Sequence, residues 1–549
     1  MFRAAGWKPI LVIPLAFLLV FFIYPLFSVL QVSLTDEVGR LNLSGFGEIA
    51  TSEYYRNTLW FTVWQAVLST AITLALAVPA AFVFTRYKFS GKALLMAFAT
   101  LPFVLPTVVV ASAFDALLGE RGLLNTLIVS VFRLDTAPIQ LERTLGMVLI
   151  AHVFYNFAVA LRMIAGFWAN QSPRLEEAAR VMGVSGWQLW WRVRLPLLRP
   201  AILASAVLVF IFTFTSFGVV LILGGPRFAT LEVEIYRQAV SMFDLPVAAA
   251  LSLVQIGMMF AMMVVYTRLQ KRTAVPIQGR AIVERAPTTR MARLAVSVTV
   301  AAMVSLLFTP LIALVIRALT TAGGLENLGR LATNPRGSVL FVPPLVAIGN
   351  SVFFALITML LAVSLGVLTA VLIDSRRGQW LDALFMLPLA TSAVTLGFGY
   401  LIGLGRPPLN MRSSILLIPL AHTLVALPFV VRSVLPALRM IPRNITDAAR
   451  VLGEGQGGVW RRVILPIVGR AVAVGATFAF TVSMGEFGAS LFIARPETPT
   501  MPVVIFRLLG QPGVSNYGQA LAMSVILMGV CAVAFVAIER LRVGGVGEF

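Results

Sequence analysis

What this sequence has least of is chemistry suited to water. A single cysteine, Cys531, lies inside an apolar run, so neither a disulfide framework nor a cysteine metal site can be built from it. Histidine occurs only at His152 and His422, one each in apolar stretches, where a packing role is the ordinary expectation. Charged residues make up 12% of 549, against roughly 25% in soluble domains. No G-x-x-x-x-G-K-[ST] stretch is present, so the chain has no nucleotide phosphate cradle of that kind. Nor does it offer a Ser–base pair, a His/Asp/Glu metal cluster or a cofactor motif, which argues against a membrane-embedded enzyme.

What is abundant is hydrocarbon. The chain is 59% hydrophobic with mean hydropathy +0.92. Apolar runs near the ~20 residues needed to cross a bilayer recur throughout. They predict an all-α polytopic membrane protein with about twelve spans, near 10–33, 58–84, 94–118, 145–168, 198–223, 246–267, 294–316, 346–373, 382–404, 414–435, 471–494 and 517–538. The first run follows Arg3 and Lys8 as a signal peptide would. Its length and the lack of a small-x-small cleavage site make a retained span the expectation.

The net charge of +20 gathers in alternate loops. Residues 268–293 carry Arg268, Lys271, Arg272, Arg280, Arg285, Arg290 and Arg293 against Glu284 alone, whereas Asp36, Glu37, Glu48 and Glu53 outnumber Arg40 and Arg56 in 35–57. By the positive-inside rule both chain termini and the basic loops face the cytoplasm. The charge is therefore a topology signal, and no nucleic-acid partner is expected.

Two of those basic loops are copies. "LEEAARVMGVSGWQLWWRVRLPLLRPA" (175–201) and "ITDAARVLGEGQGGVWRRVILPIVGRA" (445–471) align without gaps at an offset of 270, with eleven identities that include Ala178, Ala179, Arg180, Gly183, Trp190 and Pro196. The same offset pairs His152 with His422, Arg162 with Arg432, and "SFGVVLIL" with "EFGASLFI". The chain thus reads as a tandem of two six-span halves, 1–270 and 294–549, joined by a basic linker, 271–293. Because six is even, the halves share one orientation.

Within the first copy, Ser172 and Pro173 have the chemistry of a cap and a first helical residue. Glu176 and Glu177 suit the first-turn dipole. Ala178 and Ala179 favour helix, and Gly183 ends it. Trp187, Trp190 and Trp191 start a second run, with Pro196 marking entry to the next span. A short helix with small residues and an acidic start, repeated at matching places, suits paired docking on a pseudo-symmetric partner better than an ordinary loop lying on lipid headgroups.

These residues resemble the EAA motif of binding-protein-dependent ABC import permeases, whose loop forms a coupling helix seated in a cytoplasmic ATPase. The resemblance assigns coupling to Glu176, Glu177, Ala178, Ala179 and Gly183, and to Asp447, Ala448, Ala449 and Gly453. The second copy departs from it, with Thr446 and Asp447 for the glutamates and a glycine-rich "GEGQGG" behind them. The resemblance implies a type I importer fold in a bacterial or archaeal inner membrane. It also implies two copies of a separate ATPase subunit, an extracytoplasmic substrate-binding protein and no cofactor of the chain's own.

For the pathway, Pro102, Pro106 and Pro388 interrupt the third span of each half and free backbone carbonyls that need protein or water to receive them. Glu486 is an acid within an apolar run, expensive unless it meets a cavity or a partner. It could contact substrate, pair with an arginine or cap a broken helix. Its counterpart is Ser216; Phe217 and Phe487 follow, and Asp115 lies nearer the outer edge. The fused halves, with "LPFVLPTVVVASAF", "GERGLLNTL" and "FATLEVEIYRQA", resemble thiamine permeases and the related ferric-iron permeases, the last stretch favouring thiamine. A twelve-span secondary transporter is the rival class. It would need several buried coupling charges, where this chain offers chiefly Glu486 and Asp115.

Overall fold

The structure is a computed structural model that describes residues 12–36, 38–273, 284–321, 323–334, 338, 340–374 and 379–542. Arg3, Lys8, Glu37, Arg280 and the last residues of the chain, on which part of the charge reading rests, lie outside the described residues. So do the side chains of Lys271 and Arg272.

Among the described residues, ten helices are long and apolar enough to cross a membrane. Val12–Leu34, Glu53–Arg86, Leu145–Ala169, Gly186–Phe214 and Leu245–Leu269 come from the first half. Arg290–Thr320, Pro344–Asp374, Leu417–Arg439, Gln456–Gly485 and Val514–Leu541 come from the second. The remaining two expected spans are broken. Residues 94–118 form Lys92–Phe98, Leu101–Val104 and Thr107–Leu118, interrupted on either side of Pro102 and before Pro106. Residues 382–404 form two helical pieces bent by 93° around Thr391–Ser392. Proline removes a backbone donor and crowds the preceding turn, so the interruptions fall where the sequence placed them.

The fifth spans depart from expectation at both ends. Each begins well before the expected boundary, at Gly186 and Gln456, and runs through a π-helical turn, Trp190–Arg194 or Trp460–Ile464. Pro196 does not end the helix, because a wider turn just ahead relieves the clash a proline ring makes with the α-helical carbonyl four residues back. Each then breaks towards its far end, at Ser216–Phe217 and at Glu486–Phe487, and resumes as a short helical piece from Gly218 and Gly488.

Several buried threonines within the bundle are satisfied by their own helix. Along Glu53–Arg86, Thr58, Thr62, Thr70 and Thr73 are buried, and each hydroxyl donates to the carbonyl four residues back at 2.7–3.0 Å. Glycine sets the closest approaches: a Cβ at Gly366 would lie 2.6 Å from Val430 Cγ1, which lets Pro344–Asp374 lie against Leu417–Arg439.

The first helix of each half packs on the other half. Phe17, Leu18 and Phe22 join a core cluster formed otherwise by residues 362–479. Further along, a Cβ at Gly403 would meet Ser28 Oγ at 2.7 Å. Reciprocally, Arg290–Thr320 lies along Thr107–Leu118, and Phe308 meets Phe98 edge-on at 5.5 Å. This exchange ties the two repeats into one bundle around the broken helices.

Candidate functional site

The two breaks in the fifth spans face each other. Phe217 and Phe487, equivalent at the offset of 270, stack with ring centroids 5.6 Å apart and planes 25° from parallel. Tyr236 meets Phe217 edge-on at 5.7 Å, and its equivalent Phe506 meets Phe487 at 5.4 Å. A symmetric aromatic layer therefore sits where the halves meet. Gly218 permits the restart: a Cβ there would lie 2.3 Å from Thr107 Oγ1, on the broken third span.

The chemistry beside each break differs. In the first half, His152 bridges Ser69 Oγ (Nδ1, 2.9 Å) and Ser216 Oγ (Nε2, 2.8 Å). In the second, Glu486 closes over the new helix: the N–H groups of Ala489 and Ser490 donate to its carboxylate at 2.8 and 2.9 Å, and the Ser490 hydroxyl donates at 2.8 Å. His422 Nε2 lies 3.1 Å from the same carboxylate, while its Nδ1 contacts Ser483 Oγ at 2.8 Å. Of the roles open to Glu486, capping a broken helix is the one the geometry displays. An acceptor facing exposed N–H groups is favoured by hydrogen bonding and by the helix dipole together.

A cavity of about 350 Å³ opens at this level, within the range of roughly 300–1,000 Å³ usual for small-ligand sites. Pro106, Ser216, Phe217, Glu486 and Phe487 all line it, together with His152, Tyr155 and Asn156. Asp115 does not; Tyr517 donates to it at 2.8 Å, between Thr107–Leu118 and Val514–Leu541.

One cavity acid escaped sequence reasoning. Glu232 is fully buried and accepts from Ser392 Oγ at 2.7 Å and from Gln255 Nε2. The stretch between the fifth and sixth spans had the look of an outer loop, but Leu231–Tyr236 folds back into the bundle with Leu231, Val233 and Ile235 buried. The nine-residue Met501–Leu509 does the same in the second half. Its apolar run, "MPVVIFRLL", was the available signal.

The repeated loops form the second feature. Arg174–Val181 and Arg443–Val451 are short helices, each ended by a glycine in the left-handed region, Gly183 at φ +84° and Gly453 at φ +89°. Backbone bonds from Val184 to Ala179 and from Glu454 to Ala449 close the two ends alike, at 3.0 and 3.1 Å. Ser172 provides no cap; Pro173 occupies the cap position with no side-chain hydrogen bond. Glu176 turns inward to Arg86 and Arg194, the latter at 3.2 Å. Glu177, Ala178, Asp447 and Ala448 remain exposed, while Ala179 is buried and Ala449 half-buried. The tips carry bare apolar side chains at matching positions: Val181 (89% exposed) and Met182 beside Val451 (87%) and Leu452.

Residues 73–275 match the family described as the binding-protein-dependent transport system inner membrane component. The thiamine transport system permease protein ThiP of Escherichia coli (strain K12) is 27% identical over 498 residues, covering 89% of each chain. ThiP of Haemophilus influenzae is 26% identical, covering 90% of each. The probable ABC transporter permease protein y4fN of Sinorhizobium fredii is 26% identical, over 100% of this chain and 98% of its own. Over nine-tenths or so of its length the chain is similar to ABC-importer permeases.

The match to an inner-membrane transport component and the apolar helices together make the chain a multi-pass inner-membrane protein. A chain of a bacterial alginate ABC transporter, crystallised in complex with an alginate pentasaccharide-bound periplasmic protein, aligns over 49% of this chain and 98% of its own length, at 16% identity and TM-score 0.41. The candidate residues of the sequence fall into two groups in the structure, one around the central cavity and one at the repeated loops, with Asp115 apart from both.

Proposed function

We propose that this permease carries thiamine or its phosphates inward through the central cavity, by alternating access driven by two copies of a separate cytoplasmic ATPase. The halves are 1–270 and 294–549, with 271–293 as their linker. The repeated loops and both termini lie in the cytoplasm, and a soluble binding protein delivers the solute at the other face. Glu177, Ala178, Asp447 and Ala448 line the docking helices, Gly183 and Gly453 set their ends, and Glu176, Ala179 and Ala449 hold them on the bundle.

The observation that carries the coupling role is the pair of equal tips. Val181–Met182 and Val451–Leu452 are large, exposed and apolar at identical register, which suits two like sockets rather than open water. For the solute, support comes from the thiamine permeases among the relatives and from a cavity walled by aromatic faces and carboxylates, suited to a flat organic cation.

The test is reconstitution in vesicles with the cognate ATPase and binding protein. ATP-dependent thiamine accumulation is expected. Replacing both Gly183 and Gly453 with valine forces a branched residue into left-handed backbone and distorts the tips; uptake should cease with membrane insertion intact. Undiminished uptake in that double variant, or accumulation by the permease alone on an ion gradient, would refute the coupled reading.

A further inference from the structure

The cavity holds two carboxylates in unequal circumstances. Glu486 is committed: two backbone N–H groups, a hydroxyl and His422 surround it, so its charge is answered within the protein. Glu232 is not. It is fully buried and lines the same cavity, yet its partners are one amide and one hydroxyl, with no cationic side chain paired to it among the described residues. A carboxylate can accept about four hydrogen bonds, so about half its capacity is unused. Burying such a group in a membrane bundle is costly unless a positive charge reaches it.

The surroundings specify which charge. Phe217 and Phe487 form the aromatic layer at the cavity wall, joined there by Tyr155. Aromatic faces attract a cation within about 6 Å and do so without requiring it to donate a hydrogen bond. Glu232 and Ser392 also join the two halves, since Leu231–Tyr236 belongs to the first and Ser392 starts the second half's helix Ala393–Gly399, its hydroxyl oxygen accepting from the Val394 N–H at 3.0 Å. A charge drawn to Glu232 therefore acts at a joint between the repeats.

We infer that Glu232 is the specificity-determining residue of the pathway, meeting the permanent positive charge of an organic cation while the Phe217–Phe487 layer receives its flat ring. This deepens the thiamine reading and rests on it: the charge is that of the quaternary ring nitrogen. Gln255 and Ser392 are positioning residues that hold the carboxylate toward the cavity.

The test uses the complete complex of permease, ATPase and binding protein in vesicles. The binding protein is saturated either with thiamine or with an uncharged isostere in which carbon replaces the quaternary nitrogen, so that its own affinity drops out. The readout is the ratio of initial ATP-driven uptake rates. Wild type should favour thiamine. Glu232→Gln should lower the ratio about tenfold to a hundredfold, the scale of one desolvated charged contact. Glu232→Asp should keep most of the preference, and Gln255→Lys, which supplies an internal ammonium, should lose it.

An unchanged ratio in an assembled Glu232→Gln complex, or an equal fall in both rates, overturns the assignment and leaves thiamine transport standing. Should Glu232→Gln fail to assemble, an unchanged ratio in Gln255→Lys overturns it instead. A wild-type complex that moves no thiamine overturns both readings together.

Discussion

The two repeated loops present the same tip on different foundations. In the first, Glu176 is buried between Arg86, at the end of a 34-residue helix, and Arg194, in the π-helical turn of the next span. Arg194 in turn lies over the rings of Phe82 and Trp190, at 4.9 and 5.5 Å from their centroids. In the second, the equivalent of Glu176 is Thr446, buried but uncharged, and Ile464 stands where Arg194 does. Its ion pairs lie outward instead, Asp447 with Arg450 at 3.1 Å and Glu454 with Arg462. Duplication has kept the exposed tip and let the anchoring diverge. Anchors need only hold, and a buried charge cluster is not the only way to do so.

That contrast is broken most directly at its buried charge. Glu176→Ala leaves two guanidiniums without their shared carboxylate, a loss on the order of 3 kcal/mol for a mostly buried cluster. Thr446→Ala, at the same register, should cost about 1 kcal/mol or less. Solute-stimulated ATP hydrolysis by the assembled complex should fall severalfold in the first variant and little in the second. Equal losses would mean that the loops are anchored alike after all.

The breaks in the fifth spans sharpen the comparison at smaller scale. Glu486→Gln keeps the shape but gives up charge-assisted bonds from the Ala489 and Ser490 N–H groups, an expected loss of about 1–2 kcal/mol. Ser216→Ala removes one hydrogen bond to His152, about 1 kcal/mol. Thermal unfolding of the purified permease should rank the two in that order. The reverse ranking would show that the first break leans on its histidine more than the second leans on its carboxylate.

Much of this was legible because it is local or periodic. Apolar runs gave the long helices, prolines 102, 106 and 388 gave the broken ones, and a fixed offset brought His152 and His422 to equivalent posts. What escaped depends on distant partners. Glu176 looked like a first-turn acid because Arg86 stands ninety residues earlier, and nothing in the motif announces that contact. Glu232 was hidden by the count of spans: once 224–245 was assigned to a loop, its buried alternation "LEVEI" had no helix to belong to. Pro196 read as a boundary because a π-helical turn ahead of it is invisible to a periodicity of 3.6.

The finest test of the two foundations is pH. Burial alone would raise the Glu176 carboxyl, but the hydrogen bond from Arg194 and the charges of Arg86 and Arg194 outweigh it and hold the group below the usual carboxylate range. A carboxylate with a depressed folded value contributes stability that is complete above its unfolded value, about 4.3, and is lost as pH falls through the folded one. The stability gap between wild type and Glu176→Gln should therefore stay constant from pH 7 to about pH 5 and close as the solution becomes more acid. Thr446→Val should show a gap independent of pH, because nothing titrates at that position. The local reporter is Trp190, whose ring touches Arg194: its fluorescence, isolated by subtracting a Trp190→Phe variant, should shift over the same acid range and not above it. A gap that persists undiminished to pH 3 would mean that the two arginines are held by packing rather than by the carboxylate between them.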